Sequence, residues 1–252
     1  MIIIPIGIQC ATTTFKNKIQ KTHTLPFDWM FATPRFVFEI LVLLLEQNMN
    51  LEELVKNHFF YCEKRANMTE VEHYYTCDDG FALYNSKYNV IFPHDENNIE
   101  NINKYIRRFE RLKDIILHSN EELCFIYTSP SSSKSGNFTI DGNIVINDVY
   151  LYLSKIYSLI GKYRNGENNN LDYTPLNNSI RTADEFSSKL PVTDLYGAPH
   201  RGANSNLRSY KLFLFDAIQE ENPELLHKNI ILCKLQKCDS WVDLIPQMKN
   251  YV

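Results

Sequence analysis

The sequence predicts an α/β domain with a mainly parallel central sheet flanked by helices. Short apolar runs of strand length alternate with helical stretches along the chain, which is typical of parallel strands joined by helices. The strands are apolar throughout, as expected where both faces of a sheet are covered. With 252 residues and a hydrophobic fraction of 44%, the chain is long enough to bury such a core.

The first predicted elements are a strand and two helices. The apolar run from Ile2 to Ile8 predicts a buried strand. A helix that extends to Gln20 follows, with Thr12 or Thr13 as its N-cap. Pro34 fits the first turn of the next helix, because a first-turn proline has no N–H to leave unpaired.

A small antiparallel hairpin is predicted as an insertion near residues 71–85. Its strands, Val71 to Tyr75 and Phe81 to Asn85, flank a Cys-Asp-Asp-Gly turn. Before it, Asn50 is expected to cap a short helix, and after it Asn89 to Phe92 forms another strand.

The remaining elements alternate between helix and strand. Apolar residues at steps of three and four predict an amphipathic helix from Ile99 to His118, and an apolar strand follows from Leu123 to Thr128. The last elements are predicted as helices from Val145 to Ile160 and from Ser205 to Gln219, and a strand from Asn229 to Leu235. No linker divides the chain, so we expect a single domain over residues 1–252.

The charge of the chain indicates neither a nucleic-acid partner nor a membrane partner. The net charge of −4 lacks the clustered basic surface that nucleic acid requires. We interpret the basic residues of the long helix as a solvated face; they are Lys104, Arg107, Arg108, Arg111 and Lys113. The longest apolar run, Phe36 to Leu45, is interrupted by Glu39 and is too short to cross a bilayer.

The six cysteines are expected to be reduced thiols in the cytoplasm. They show no CxxC spacing, and the first residues lack the basic segment and apolar length of a signal peptide. Cys62 and Cys77 with His58 and His73 lack the paired spacing of a zinc site. We therefore expect no metal, and the absence of nucleotide-binding glycine motifs gives no reason to expect a cofactor.

Cys10 is the strongest candidate for chemistry. It follows the first strand and Gly7 at the start of a predicted helix, where free amide N–H groups and the helix dipole favour a thiolate. The same amides could stabilise an oxyanion during acyl transfer. The alternative is that Cys10 is a small buried hydrophobic residue, as free cysteines often are.

His94 and Asp28 are the other candidates for catalysis. His94 follows a short strand and a proline, so we expect it at the rim of a sheet, where an imidazole could exchange a proton with a thiol. Asp95 is next to His94 in the chain, so it is poorly placed to orient that ring, and it could instead cap the following helix. Alternatively, His94 and Asp95 are simply polar residues at the end of a loop. Asp28, between Phe27 and Trp29, needs partners such as backbone amides, Arg or His, and is either a turn-former or a third catalytic residue.

Three motifs resemble an uncharacterised family of bacterial and large DNA virus proteins that are described as papain-like cysteine peptidases. The motifs are Ile4-Pro5-Ile6-Gly7-Ile8-Gln9-Cys10, Leu25-Pro26-Phe27-Asp28-Trp29 and Phe92-Pro93-His94-Asp95, and the segment Tyr105 to Arg111 is also similar. The resemblance covers residues 1 to 130. It implies that Cys10 is the nucleophile and His94 the general base of a cysteine peptidase, and we expect a viral protein.

We add Asp28 as the third candidate catalytic residue, and Gly7, Gln9, Trp29 and Asp95 as candidate substrate contacts. A papain-like domain would place its cysteine on a helix against an antiparallel sheet, whereas the order of elements here favours a parallel one. The leading hypothesis is a thiol-dependent hydrolase or acyl transferase with a peptide, acyl or glycan substrate. The alternatives are a glycan or nucleotide-sugar transferase in which Cys10 only packs, and a host-interaction module without catalysis.

Overall fold

The computed structural model describes residues 1–7, 10–20, 23–62, 64–67, 81–88, 90–128, 138–140, 143–145, 149–166, 208–216, 229–234 and 244–249. Its strands are β1 (Ile2–Pro5), β2 (Lys64–Asn67), β3 (Phe81–Asn85), β4 (Val90–Phe92), β5 (Leu123–Thr128), β6 (Phe138–Ile140), β7 (Asn143–Val145), β8 (Tyr210–Asp216) and β9 (Ile231–Lys234). Its helices are α1 (Cys10–Ile19), α2 (Pro34–Leu41), α3 (Leu51–Leu54), α4 (Ile99–His118), α5 (Val149–Asn165) and α6 (Leu244–Met248). Helix α2 continues as a π-helical segment over Val42–Glu46, and α3 continues likewise over Val55–Phe59.

The central sheet has four strands in the order β1-β5-β8-β9, and every neighbouring pair is parallel. This confirms the predicted α/β class. All six residues of β5 are buried, as expected for a strand with protein packed on both faces. Strands β1 and β5 run side by side, so their carboxyl ends lie at the same edge of the sheet.

Two apolar cores lie on the two faces of this sheet. Alternate residues of each strand point to opposite faces, so Leu123, Phe125 and Tyr127 join the larger core with α2, α4 and α5. Cys124 and Ile126 point to the other face. The smaller core there combines strand residues with residues of α1 and α6: Ile3, Phe15, Cys124, Ile126, Phe213, Phe215, Cys233, Ile245 and Met248.

A second sheet is antiparallel and has the order β2-β3-β4. The predicted insertion is therefore present, but the partner of Phe81–Asn85 is Lys64–Asn67; the predicted strand from Val71 to Tyr75 lies outside the described residues. Phe31 extends this sheet through a bridge to Ile91 of β4, with N–H···O distances of 3.0 and 3.2 Å. A short antiparallel pair, β6 and β7, follows β5.

One predicted helix was wrong. The stretch from Ser205 to Gln219 contains the strand β8, which pairs with β5 on one side and β9 on the other. Its sequence, Tyr-Lys-Leu-Phe-Leu-Phe-Asp, is rich in aromatic residues that suit a sheet. Because a strand covered on both faces is apolar on both, its pattern lacks the alternation that distinguishes a strand from a buried helix.

The first-turn proline of α2 and the cap of α3 are those that the sequence predicts, whereas the cap of α2 was not predicted. Pro34 begins α2, and Thr33 caps it by accepting a hydrogen bond from Phe36 N at 3.1 Å. Asn50 caps α3 and accepts from the amides of Glu52 and Glu53. Within the segments that the structure describes, the helices are too short or too polar for any of them to cross a membrane.

Candidate functional site

Cys10 is the first residue of the ten-residue helix α1, which follows directly after β1 and Gly7. The helix begins two residues earlier than predicted, so neither Thr12 nor Thr13 is its cap. Both threonines are buried within its first turn. Thr13 Oγ1 accepts a hydrogen bond from the backbone N–H of Trp29 at 3.2 Å, which connects this turn to another part of the predicted site.

Gly7 is buried at the junction of three elements. A Cβ atom at this position would lie 2.8 Å from Thr12 Cγ2 and 3.2 Å from the backbone N of Thr128. Only glycine allows the end of β1 to approach both the first turn of α1 and the end of β5. The structure thus gives Gly7 a packing role close to Cys10 in the sequence. Gln9, which was predicted to contact substrate, lies outside the described residues.

The carboxylate of Asp28 is fully buried and is bound by two donors. Lys16 Nζ donates to Asp28 Oδ2 at 2.7 Å, and Leu25 N donates to the same oxygen at 2.8 Å. Asp28 Oδ1 has no hydrogen-bond partner among the described residues. The expected backbone amide is therefore present, but the positive partner is a lysine, where arginine or histidine had been expected.

Lys16 is a residue that the sequence analysis missed. Its side chain is fully buried, and its ammonium group also donates to the carbonyl of His23 at 3.0 Å. The signal that could have found it is helical spacing. Lys16 lies four residues after Thr12 and three after Thr13, and residues at these spacings share one face of a helix. Both threonines are buried, so this face of α1 points into the protein, where Lys16 meets the buried Asp28.

Trp29 connects α1 to His94. Its backbone has φ = 64°, the left-handed region that bulky residues rarely adopt. Its half-buried indole meets the imidazole of His94 edge to face, with ring centroids 6.1 Å apart. The structure therefore brings together two of the predicted site residues, Trp29 and His94, and joins them to the helix that begins at Cys10.

His94 is exposed in the turn that follows β4. This confirms the expected position at the rim of a sheet, although the sheet is the antiparallel one. The bridge between Phe31 and Ile91 lies two residues after Trp29 and three before His94. That bridge holds the segments that carry the two rings next to each other, and the rings meet edge to face.

Asp95 anchors the His94 turn to α4. Its carboxylate, only 7% exposed, binds the ammonium of Lys104 and accepts a hydrogen bond from the hydroxyl of Tyr105. The alternative that Asp95 caps α4 is wrong, because the cap is Asn98, whose side chain accepts from Asn101 N at 2.9 Å. Burial, together with the charge of Asp95, raises the pKa of Tyr105.

The basic residues of α4 are only partly the solvated face that was predicted. Arg107 is exposed, but Lys104 binds Asp95 and Arg111 donates to the carbonyl of Thr24 at 2.7 Å. Arg108 lies over the ring of Tyr105, 5.3 Å from its centroid. Two of these cations, Lys104 and Arg111, therefore hold the loops that carry His94 and Asp28.

The described thiols away from α1 are buried. Burial raises the pKa of Cys62 to about 12, with a smaller contribution from the charge of Asp95. Burial also raises the pKa of Cys124 to about 12 and that of Cys233 to about 11. These three cysteines are thus protonated and unreactive at neutral pH.

Within the described ranges, no group of three or more His, Cys, Asp and Glu residues is arranged to hold a metal ion. Cys77 and His73, two of the residues weighed for a zinc site, lie outside those ranges. Of the other two, Cys62 is buried, and His58 Nδ1 lies 3.1 Å from both the Tyr88 hydroxyl and Lys87 Nζ.

Fold and site together define an α/β protein with a cysteine at the N-terminus of its first helix and a histidine joined to that helix through Trp29. Residues 1–143 match the model of the family described as "Putative papain-like cysteine peptidase (DUF1796)". The chain belongs to this family, and the matched residues include Cys10, Asp28 and His94.

No curated protein and no solved structure matches the chain. The sheet next to Cys10 is parallel, in contrast to the antiparallel sheet that the papain-like description implies. The order of elements along the sequence had favoured the parallel arrangement.

Proposed function

We propose that this protein is a thiol-dependent hydrolase or acyl transferase in which Cys10 is the nucleophile and His94 exchanges the proton. The observation that carries the proposal is the double contact of Trp29. Its backbone N–H donates to Thr13 in the first turn of α1, and its ring packs against His94. One residue thus ties the helix that begins at Cys10 to the imidazole.

The position of Cys10 supports its role as nucleophile. The first amide N–H groups of an α-helix have no partner within the helix, and they carry the positive end of its dipole. Both effects stabilise a thiolate and lower the pKa of a thiol. Because burial raises the pKa of Cys62, Cys124 and Cys233, we expect Cys10 to be far more reactive than these three.

The chemistry follows from these two groups. His94 takes the thiol proton of Cys10, the sulfur forms a bond to the substrate carbonyl carbon, and the π electrons of the carbonyl move to its oxygen. When the carbonyl re-forms, the bond to the leaving group breaks, and His94 gives its proton to that group. Water, or an acceptor in a transfer reaction, then attacks the thioester and returns its proton through His94, which frees Cys10.

The substrate is proposed to be a peptide or another acyl compound that binds beside Trp29. The half-buried indole offers an apolar surface next to the reacting groups. Gln9 is adjacent to Cys10 in the sequence, so its amide is a candidate donor to the substrate oxygen. Asp95 is held by Lys104 and Tyr105, so we propose that it supports the His94 turn.

Competitive labelling of the thiols tests this proposal. The folded protein is treated briefly with a limiting amount of iodoacetamide at pH 7, and each cysteine peptide is quantified by mass spectrometry. We expect Cys10 to be labelled at least tenfold faster than Cys62, Cys124 and Cys233. Cys62→Ser is the matched control and leaves the fast site intact, whereas Cys10→Ser removes it. Equal, slow labelling of all the cysteines would contradict the proposal.

A glycan or nucleotide-sugar transferase remains the second candidate, and the open parallel sheet favours it. Ligands of such sheets bind beyond the carboxyl ends of the strands, where Gly7 and Thr128 lie. Thermal stabilisation by nucleotide sugars, undiminished in Cys10→Ser, would favour this function over thiol chemistry.

A further inference from the structure

Lys16 and Asp28 form an ion pair that is sealed from solvent. Both side chains are fully buried, and the other ion pairs among the described residues have at least one side chain that is partly exposed. Burying two charges costs free energy that their mutual attraction often fails to recover. Since apolar residues of similar volume would stabilise the fold as well, the pair calls for a geometric explanation.

The pair fixes the segment that precedes Trp29. Lys16 binds both ends of this segment, at the carbonyl of His23 and the carboxylate of Asp28. Arg111 of α4 holds the carbonyl of Thr24 between them. The chain therefore enters Trp29 from a rigid turn that is tied to two helices.

Trp29 needs such support because its backbone is strained. A non-glycine residue in the left-handed region costs on the order of 1–3 kcal/mol and persists only where its surroundings impose it. The imposed conformation turns the backbone N–H of Trp29 toward Thr13 and its ring toward His94. Strain of this kind is concentrated at functional sites.

We infer that Lys16 and Asp28 are positioning residues that set the His94 imidazole relative to the first turn of α1. This inference rests on the proposed function and goes beyond it by giving Asp28 an indirect role. Asp28 Oδ2 is occupied by Lys16 and Leu25, and Oδ1 has no hydrogen-bond partner among the described residues. Asp28 thus acts through Trp29 and does not itself orient the ring.

The fluorescence of Trp29 reports on this arrangement directly. The chain has two tryptophans, Trp29 and Trp241, so the Trp241→Phe variant serves as the parent. An imidazole in contact with an indole quenches its emission, so Trp29 should be dimmer in this parent than in the same parent with His94→Ala. We call the difference in Trp29 emission between these two proteins the His94 quench.

The decisive variant is Lys16→Met combined with Asp28→Asn. Methionine retains the length of the buried stem, and asparagine retains an acceptor for Leu25 N–H, so the double change removes the charges with little loss of volume. We expect circular dichroism like that of the parent and an at least threefold smaller His94 quench, measured by adding His94→Ala to the double variant. An unchanged His94 quench in the folded double variant would overturn the inference.

Thr13→Val provides a second variant if the double change prevents folding. It removes only the hydroxyl that accepts from Trp29 N–H, so the His94 quench should also fall. An unchanged His94 quench again overturns the inference.

Iodoacetamide labelling of the same proteins separates the two claims. Slow labelling of Cys10 in the parent would remove the proposed function, and the inference with it. Fast labelling of Cys10 combined with an unchanged His94 quench in the folded variants would remove the inference alone.

Discussion

Lys16 and Asp28 place opposite charges 2.7 Å apart in a part of the protein that solvent does not reach. The two residues belong to separate elements, the helix that begins at Cys10 and the turn that presents Trp29. The relative position of these elements therefore depends on a contact that lies outside the reacting groups.

Removal of one charge should destabilise the protein far more than removal of both. Lys16→Met leaves a buried carboxylate with one hydrogen bond, and we expect a loss of about 3–5 kcal/mol in the free energy of unfolding. The double variant with Asp28→Asn should recover most of that loss. Urea unfolding of the two single variants and the double variant measures the coupling, and additive effects would show that the charges do not depend on each other.

Gly7→Ala should destabilise the junction of β1, α1 and β5. The new methyl group would lie 2.8 Å from Thr12 Cγ2, so the elements must separate, at a cost of about 1–3 kcal/mol. Adding Thr12→Ser removes the opposing methyl and should recover part of this loss. If the second change makes no difference to the urea midpoint, the close approach at Thr12 is not the cause.

Arg164→Lys should destabilise the protein although it keeps the charge. The guanidinium of Arg164 donates to carbonyls of Ile116, Ser119, Glu121, Arg208 and Ser209. Lysine cannot reproduce this planar set of donors, and we expect the loss of these buried and partly buried hydrogen bonds to cost about 2–4 kcal/mol together. The midpoint of thermal unfolding is measured for Arg164→Lys and for the control Arg107→Lys, which lies at an exposed position of α4. We expect a lower midpoint for Arg164→Lys and no change for Arg107→Lys.

The protein should lose stability above about pH 8.5, where cysteines of the unfolded chain ionise. Cys124, with its pKa raised to about 12, keeps its proton in the folded state. Because the unfolded state then binds fewer protons, stability is complete below this range and falls by about 1.4 kcal/mol per pH unit for each such thiol. Cys124→Ala should reduce the slope of this decline by about 1.4 kcal/mol per pH unit, the contribution of one thiol. An identical slope would show that Cys124 does not contribute to the loss of stability.

The central sheet and its long helix could be predicted from the sequence because their signals are local. The bounds of α4 and β5 match the predicted ones, since each follows from the spacing of apolar residues within one segment. The strand β8 was mistaken for a helix because a strand buried on both faces has no distinctive period. The single domain over residues 1–252 stays a prediction.

The contacts around the site could not be read from the sequence in the same way. Arg111 and Thr24, for example, are 87 residues apart, and only the folded chain brings them together. A basic residue on a helix is usually solvated, so the sequence around Arg111 gives no sign that this side chain binds a distant loop. Asp28 was recognised as a buried acid that needs a partner, but its helix partner, Lys16, was not.

The pH dependence of Cys10 alkylation, compared between the wild-type protein and His94→Gln, tests the central claim most directly. A thiolate next to an imidazolium ionises more easily, so the wild-type rate should rise with a midpoint well below the ordinary thiol pKa of about 8.5. Removal of the imidazole should move that midpoint to higher pH. A wild-type midpoint at or above the ordinary value, or the same midpoint in both proteins, would contradict a reactive pair formed by Cys10 and His94.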